Sequence, residues 1–197
     1  MNIKEVAAKY ADYQIEMRRY FHMHPEVSCE EFETSKAIKA ELDKMGIPYR
    51  DCGLKTGILA TIEGAKPGKT ILLRADMDAL SVTETTGAEY ASQNPGVMHA
   101  CGHDCHISML LTAAHILNDM KDELCGTVKL AFQPGLFVQR GLQRLRIAAA
   151  GRIFRPGGPK VCYFQAHVCQ RLPGLLNGCF YLAAALPGLG RLLLGLG

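Results

Sequence analysis

The segment His99-Ala100-Cys101-Gly102-His103-Asp104-Cys105-His106 packs three histidines and two cysteines into eight residues. Cys101 and His103 flank Gly102, which lets the backbone turn tightly. A thiolate and an imidazole presented this way can converge on one soft-to-borderline ion such as Zn2+. If a helix opens at His103-Asp104, its positive dipole end favours the thiolate and any bound anion. A helix cap with a buried structural cysteine is the competing account, and the density of ligand-type residues weighs against it. Cys105 and His106 are expected to face core or solvent.

A second cluster, Arg74-Ala75-Asp76-Met77-Asp78, leaves the end of an apolar run. Carboxylates one residue apart in extended chain point the same way, so Asp76 and Asp78 can face one cationic centre. A solvated loop end explains the pair equally well. His22-Met23-His24-Pro25-Glu26, after Arg18-Arg19, reads as a helix end with a proline stop, and His115 reads as structural.

The elements that must position these groups follow from periodicity. Ile3, Val6, Tyr10, Tyr13, Met17 and Tyr20 form a helical stripe over residues 1–20. A second helix is expected from about Glu30 to Met45, stopped by Gly46, and a third over about Asp104–Lys121. Gly57–Ile62, Thr70–Arg74 and Thr127–Phe132 read as strands, the middle one buried on both faces. Residues 81–100 read as loop. Strands alternating with helices predict an α/β fold, a sheet flanked by helices, with chemistry where strands end and helices begin.

Composition bounds the rest. The 197 residues are 48% hydrophobic and 21% charged with net charge +3, which excludes disorder and a strongly electrostatic nucleic-acid binder. Eight cysteines behind a polar N-terminus point to a reducing cytoplasm. All 19 acidic residues lie at or before Glu123, while residues 135–197 carry eight Lys/Arg and no acid. The expected organisation is therefore an N-terminal catalytic part, 1–134, and an anomalous tail, 135–197. The apolar end of that tail approaches the length of a membrane span, but Pro173, Pro187, Arg191 and frequent glycine argue against one.

Five motifs occur in order: Arg18-Arg19 to His22-x-His24-Pro25-Glu26, LRADMDAL at 73–80, Tyr90-Ala91-Ser92 to Asn94-Pro95-Gly96, MHACGHDCH at 98–106 and KLAFQP at 129–134. Together they resemble the metal-dependent amidohydrolase and aminoacylase metallopeptidases, which include hippurate hydrolases, N-acyl-amino-acid amidohydrolases and indole-acetyl-amino-acid hydrolases. The resemblance implies a dinuclear-metal α/β catalytic domain using Zn2+, Mn2+, Co2+ or Ni2+. It implies Cys101 and His103 as metal ligands and Asp78 as the carboxylate that orients one of them. The implied substrate is a small N-acyl amino acid or peptide, cleaved at its amide bond, with no nucleic-acid or membrane partner. Family members often pair through a lid domain that this sequence lacks, so a homodimer is not carried over.

The resemblance breaks after Phe132-Gln133-Pro134. The family places one residue and then two glutamates there, a general base and a metal ligand, whereas this chain reads Gly135-Leu136-Phe137-Val138. It resumes briefly at 159–168, where His167 would be a third metal ligand; a buried structural histidine is as good an account. Residues 135–158 and about 169–197 read as translation out of frame, since acid-free Arg, Gly, Ala, Leu and Pro enrichment is what GC-rich codons produce in a wrong frame. Three functions follow: an amidohydrolase impaired by the missing glutamates, a non-catalytic metal-binding or interaction module on the same half-domain, or a membrane-associated fragment held by the tail.

Overall fold

A computed structural model describes residues 3–135 and the strand 162–165. Four helices, α1 (Ile3–Lys9), α2 (Ala11–Met23), α3 (Phe32–Met45) and α4 (His103–Asp119), accompany five strands, β1 (Tyr49–Asp51), β2 (Ile58–Glu63), β3 (Lys66–Asp76), β4 (Cys125–Gln133) and β5 (Cys162–Gln165). The strands form one mixed sheet in the order β1-β2-β4-β3-β5. β4 runs antiparallel to β2 and parallel to β3, and β5 lies parallel on the other side of β3. This is the α/β architecture that alternating patterns predict.

Alternation along the strands decides where the core sits. Ile58, Ala60 and Ile62 of β2, Ile71, Leu73 and Ala75 of β3, and Val128, Leu130 and Phe132 of β4 share one face. They join Phe21 of α2, Ile38 and Leu42 of α3, and Ile107, Leu110, Leu111 and Ala114 of α4 in a single cluster. Leu59 and Leu72, which point to the opposite face, are buried as well. β3 is thus covered on both sides at Ile71-Leu72-Leu73, as its unbroken apolar run predicts.

Two expectations need adjusting. The N-terminal stripe is split into two helices at Tyr10, whose backbone (φ −103°, ψ 9°) leaves the helical region. The Tyr10 ring stacks on His115 at 5.1 Å and its hydroxyl donates to Asp119, so α4 sets the break. Strand β1 carries no apolar run. It forms because Tyr49, Arg50 and Asp51 pair with Ala60, Leu59 and Ile58 along the exposed edge of β2. No helix among the described residues is long and apolar enough to cross a membrane.

Candidate metal centre

Parallel pairing of β3 with β4 puts Asp76 opposite Gln133, so both strands deliver their carboxyl ends to one rim. Arg74 ties that rim together: its Nε donates to Gln133 Oε1 at 2.7 Å and its Nη2 to Asp76 Oδ1. The helix that faces the rim begins at His103. Gly102 introduces it with φ 79°, a left-handed conformation that costs glycine little. Ala79 and Leu80 are held by bridges to Val27 and Met98, which bring the chain leaving β3 alongside the approach to α4.

The two aspartates expected to face one centre take different roles. Asp78 braces His103, whose Nδ1–H donates to the Asp78 carbonyl oxygen at 2.8 Å and to Oδ1 at 2.9 Å. Ser28 Oγ donates to the other carboxylate oxygen at 2.5 Å. Burial works to raise the Asp78 carboxyl, but the bonds from His103 and Ser28 outweigh it and hold the group below the usual carboxylate range. The same contact raises His103 against the opposing effect of burial. With Nδ1 committed, Nε2 of His103 is left available as a ligand atom.

Asp76 instead groups with His103 and His106, the three ligand atoms lying within 4.8 Å of one another. His106 Nδ1 stands 3.8 Å from Asp76 Oδ2, and the His103 and His106 rings stack at 5.2 Å. Burial, followed by the neighbouring His103, lowers the His106 pKa, so its imidazole is neutral and keeps a lone pair. His106 therefore faces the rim, where core or solvent was expected. The i, i+3 spacing of His103 and His106 on one helical turn was a readable signal for this. Cys101 lies on the exposed turn before Gly102 and is not part of the group. The Cys105 thiol is pushed up to about 11 by burial and by Asp104, so it stays protonated. His167 lies outside the described residues.

A buried ionic network backs the centre. His22 places Nδ1 2.7 Å from Asp104 Oδ2 and Nε2 3.1 Å from Glu84 Oε1. Each ring nitrogen thus faces a carboxylate, and the Asp104 bond is the leading cause of the raised His22 pKa. Arg18 Nε meets the same Asp104 oxygen at 3.0 Å, and its guanidinium lies 4.7 Å from the Tyr90 ring centre. Burial would raise Glu84, yet bonds from Thr86, the Ser92 N–H and His22 bring it down to about 2. His99 is buried with neither ring nitrogen partnered, and burial lowers its pKa to about 4, so it is neutral.

Glu31 is fully buried, and it does not replace the missing pair. Its oxygens are already taken by the Gly135 N–H at 2.7 Å, the Cys29 N–H at 3.0 Å and Thr56 Oγ1 at 2.8 Å. Glu26 is spent on the first turn of α3, accepting from the Glu33 and Thr34 N–H groups. These carboxylates hold structure.

Two imidazoles and a carboxylate, one imidazole braced through its second nitrogen, form a donor set suited to a borderline divalent cation. Residues 72–170, which run from β3 through α4 and β4 to beyond β5, match the sequence profile of Peptidase family M20/M25/M40. The chain belongs to that family. It is 51% identical over 120 residues to an N-acetyl-L-cysteine deacetylase of Bacillus subtilis, covering 61% of this chain and 29% of the relative. It is 47% identical over 163 residues to the IAA-amino acid hydrolase ILR1-like 5 of Arabidopsis thaliana, covering 83% and 36%. The crystal structure of the YXEP protein of Bacillus subtilis, described as a dinuclear metal binding peptidase of the M20 family, superposes with a TM-score of 0.65 at 40% identity, covering 73% of this chain and 40% of that one. The chain spans about a third of the length of these curated M20 relatives.

Proposed function

We propose that residues 1–134 are the N-terminal part of a metal-dependent amidohydrolase catalytic domain acting on small N-acyl amino acids or peptides in the cytoplasm. The observation that carries this reading is His103 at the mouth of α4, fixed through Nδ1 by Asp78 and with no hydrogen bond to Nε2 among the described residues. On the family pattern Cys101, His103 and His167 hold the divalent ions, among Zn2+, Mn2+, Co2+ and Ni2+, and Asp78 orients His103. Bound there, the ions would polarise the amide carbonyl and lower the pKa of a water.

The chain's own residues then have separable tasks. Asp78 keeps the His103 ring in one tautomer and one orientation, and Ser28 keeps Asp78 in place. Arg74 and Gln133 fix the strand ends beneath. Proton abstraction is the task left without a residue, because Leu136 and Phe137 stand where the family has glutamates and no acid follows Glu123. Loss of a general base costs about 10²–10⁴-fold in rate. That same observation favours the second reading, a metal-binding module without turnover.

Metal analysis of the purified chain, combined with assays on N-acetyl- and N-benzoyl-amino acids, tests both. Bound metal with residual hydrolysis supports the impaired enzyme, and bound metal with no hydrolysis supports the module. Rapid hydrolysis would overturn the argument from the missing glutamates, and a folded chain that takes up no divalent ion would overturn both readings.

A further inference from the structure

Asp76 and His106 have no part in the ligand set carried over from the family, yet both stand against His103, with Asp76 held by Arg74 through only one of its carboxylate oxygens. His106 Nδ1 and Asp76 Oδ2, at 3.8 Å, are too far apart for a hydrogen bond. Ligands ~2.0–2.1 Å from a tetrahedral zinc stand about 3.4 Å from one another, so the observed spacing is near what a shared ion imposes. All three ligand atoms lie within 4.8 Å of one another, so drawing any pair to that value takes at most about 1.4 Å of movement.

The scaffold for such a seat is already anchored by hydrogen bonds. His103 and His106 occupy one turn of α4, with their rings 28° from parallel. Asp76 ends β3 and has its Oδ1 held by Arg74, which Gln133 holds in turn. Asp76 Oδ2 thus remains for a ligand while the rest of the carboxylate is anchored. The Arg74 guanidinium opposes a cation, so the seat should bind less tightly than a closed structural zinc site.

We propose that Asp76, His103 and His106 form a seat for a single divalent cation that needs neither Cys101 nor any residue after Gly135. This rests on the reading that the mouth of α4 is a metal centre, and it names different ligands for that centre in this chain. Two nitrogens and one oxygen leave a coordination position open to water, the pattern of exchangeable sites. The seat would let a chain that lacks the family's glutamates hold a cation.

Co2+ titration of the full-length chain, followed by visible absorption, distinguishes the ligand sets. Asp76→Asn and His106→Asn should each weaken Co2+ binding at least tenfold and alter the d–d bands, while Cys101→Ser should bind as the parent does. Co2+ binding that survives both of those substitutions but is lost in Cys101→Ser, along with a thiolate-to-cobalt charge-transfer band, overturns the proposal and leaves the family reading intact. Failure of the folded parent chain to bind Co2+ overturns both. Should the variants not fold, paramagnetic NMR of the Co2+-loaded parent decides: hyperfine-shifted ring protons from two histidines support the seat, and from one histidine overturn it.

Discussion

Asp78 and His103 are a pair whose value lies in orientation. Removing such a supporting carboxylate typically costs 10–100-fold in metal affinity. Asp78→Ala should therefore weaken Zn2+ binding by about that factor in a calorimetric titration, with little change in helix content. His22 makes a different contribution. Its ring lies between Asp104 and Glu84 with both nitrogens committed, so His22→Ala leaves two buried carboxylates with one partner fewer. Breaking a buried ion pair in this way costs about 3–5 kcal/mol, which urea unfolding would measure. The pH dependence has a defined sign. His22 is raised in the folded state, so its contribution is complete below about 6.5 and fades as pH climbs through the folded value. Asp104 and Glu84 are lowered, so theirs is complete above the ordinary carboxyl range and fades on acidification, for Glu84 towards about 2. His99 and His106 are lowered and contribute with the opposite sign, so the His22 contribution is read as a difference: the gap in urea midpoint between the parent chain and His22→Gln should shrink from pH 6 to pH 9.

Among the elements, β4 has the most consequence, since it pairs with both β2 and β3 and carries Val128, Leu130 and Phe132 into the core. Leu130 is fully buried, and Leu130→Ala should destabilise by about 2–5 kcal/mol in the same unfolding measurement. Helices α3 and α4 could be read from their stripes, and the end of α3 from Gly46, which adopts φ 66° as a helix-terminating glycine does. The break at Tyr10 could not be read, because the apolar spacing continues through it and its cause, His115, is on another helix. Strand β1 was hidden because Tyr49-Arg50-Asp51 has no apolar alternation, and only the neighbouring β2 makes it a strand. The site was legible where partners are close in sequence, as with His103 and the motif around it. The role of His22 was not, since Glu84 and Asp104 lie 62 and 82 residues away and the local sequence shows only a helix ending at a proline.

For the molecule as a whole, the abrupt loss of acidic residues after Glu123 and the family match that nonetheless continues to residue 170 bear on one another. If residues 135–158 and about 169–197 arose by a shift of reading frame, one of the other two frames of the coding DNA should encode glutamates shortly after Phe132-Gln133-Pro134. Absence of glutamate codons from both frames overturns that origin. The protein-level counterpart is a chain carrying Leu136→Glu and Phe137→Glu together. If the missing base is what limits hydrolysis, this chain should gain about 10²–10⁴-fold on N-acetyl-amino acids over the parent.

The strand order also governs how the chain can fold while it is being made. β2 and β3 are neighbours in sequence but not in the sheet, because β4 lies between them. When β3 leaves the ribosome at Asp76, the strand that must separate and saturate both is still unmade, and its last residue is Gln133. At ~5–20 residues per second that delay is a matter of several seconds. During it, two apolar ribbons present unpaired amides and carbonyls to the cell, an opening for chaperone capture and for self-association of nascent chains.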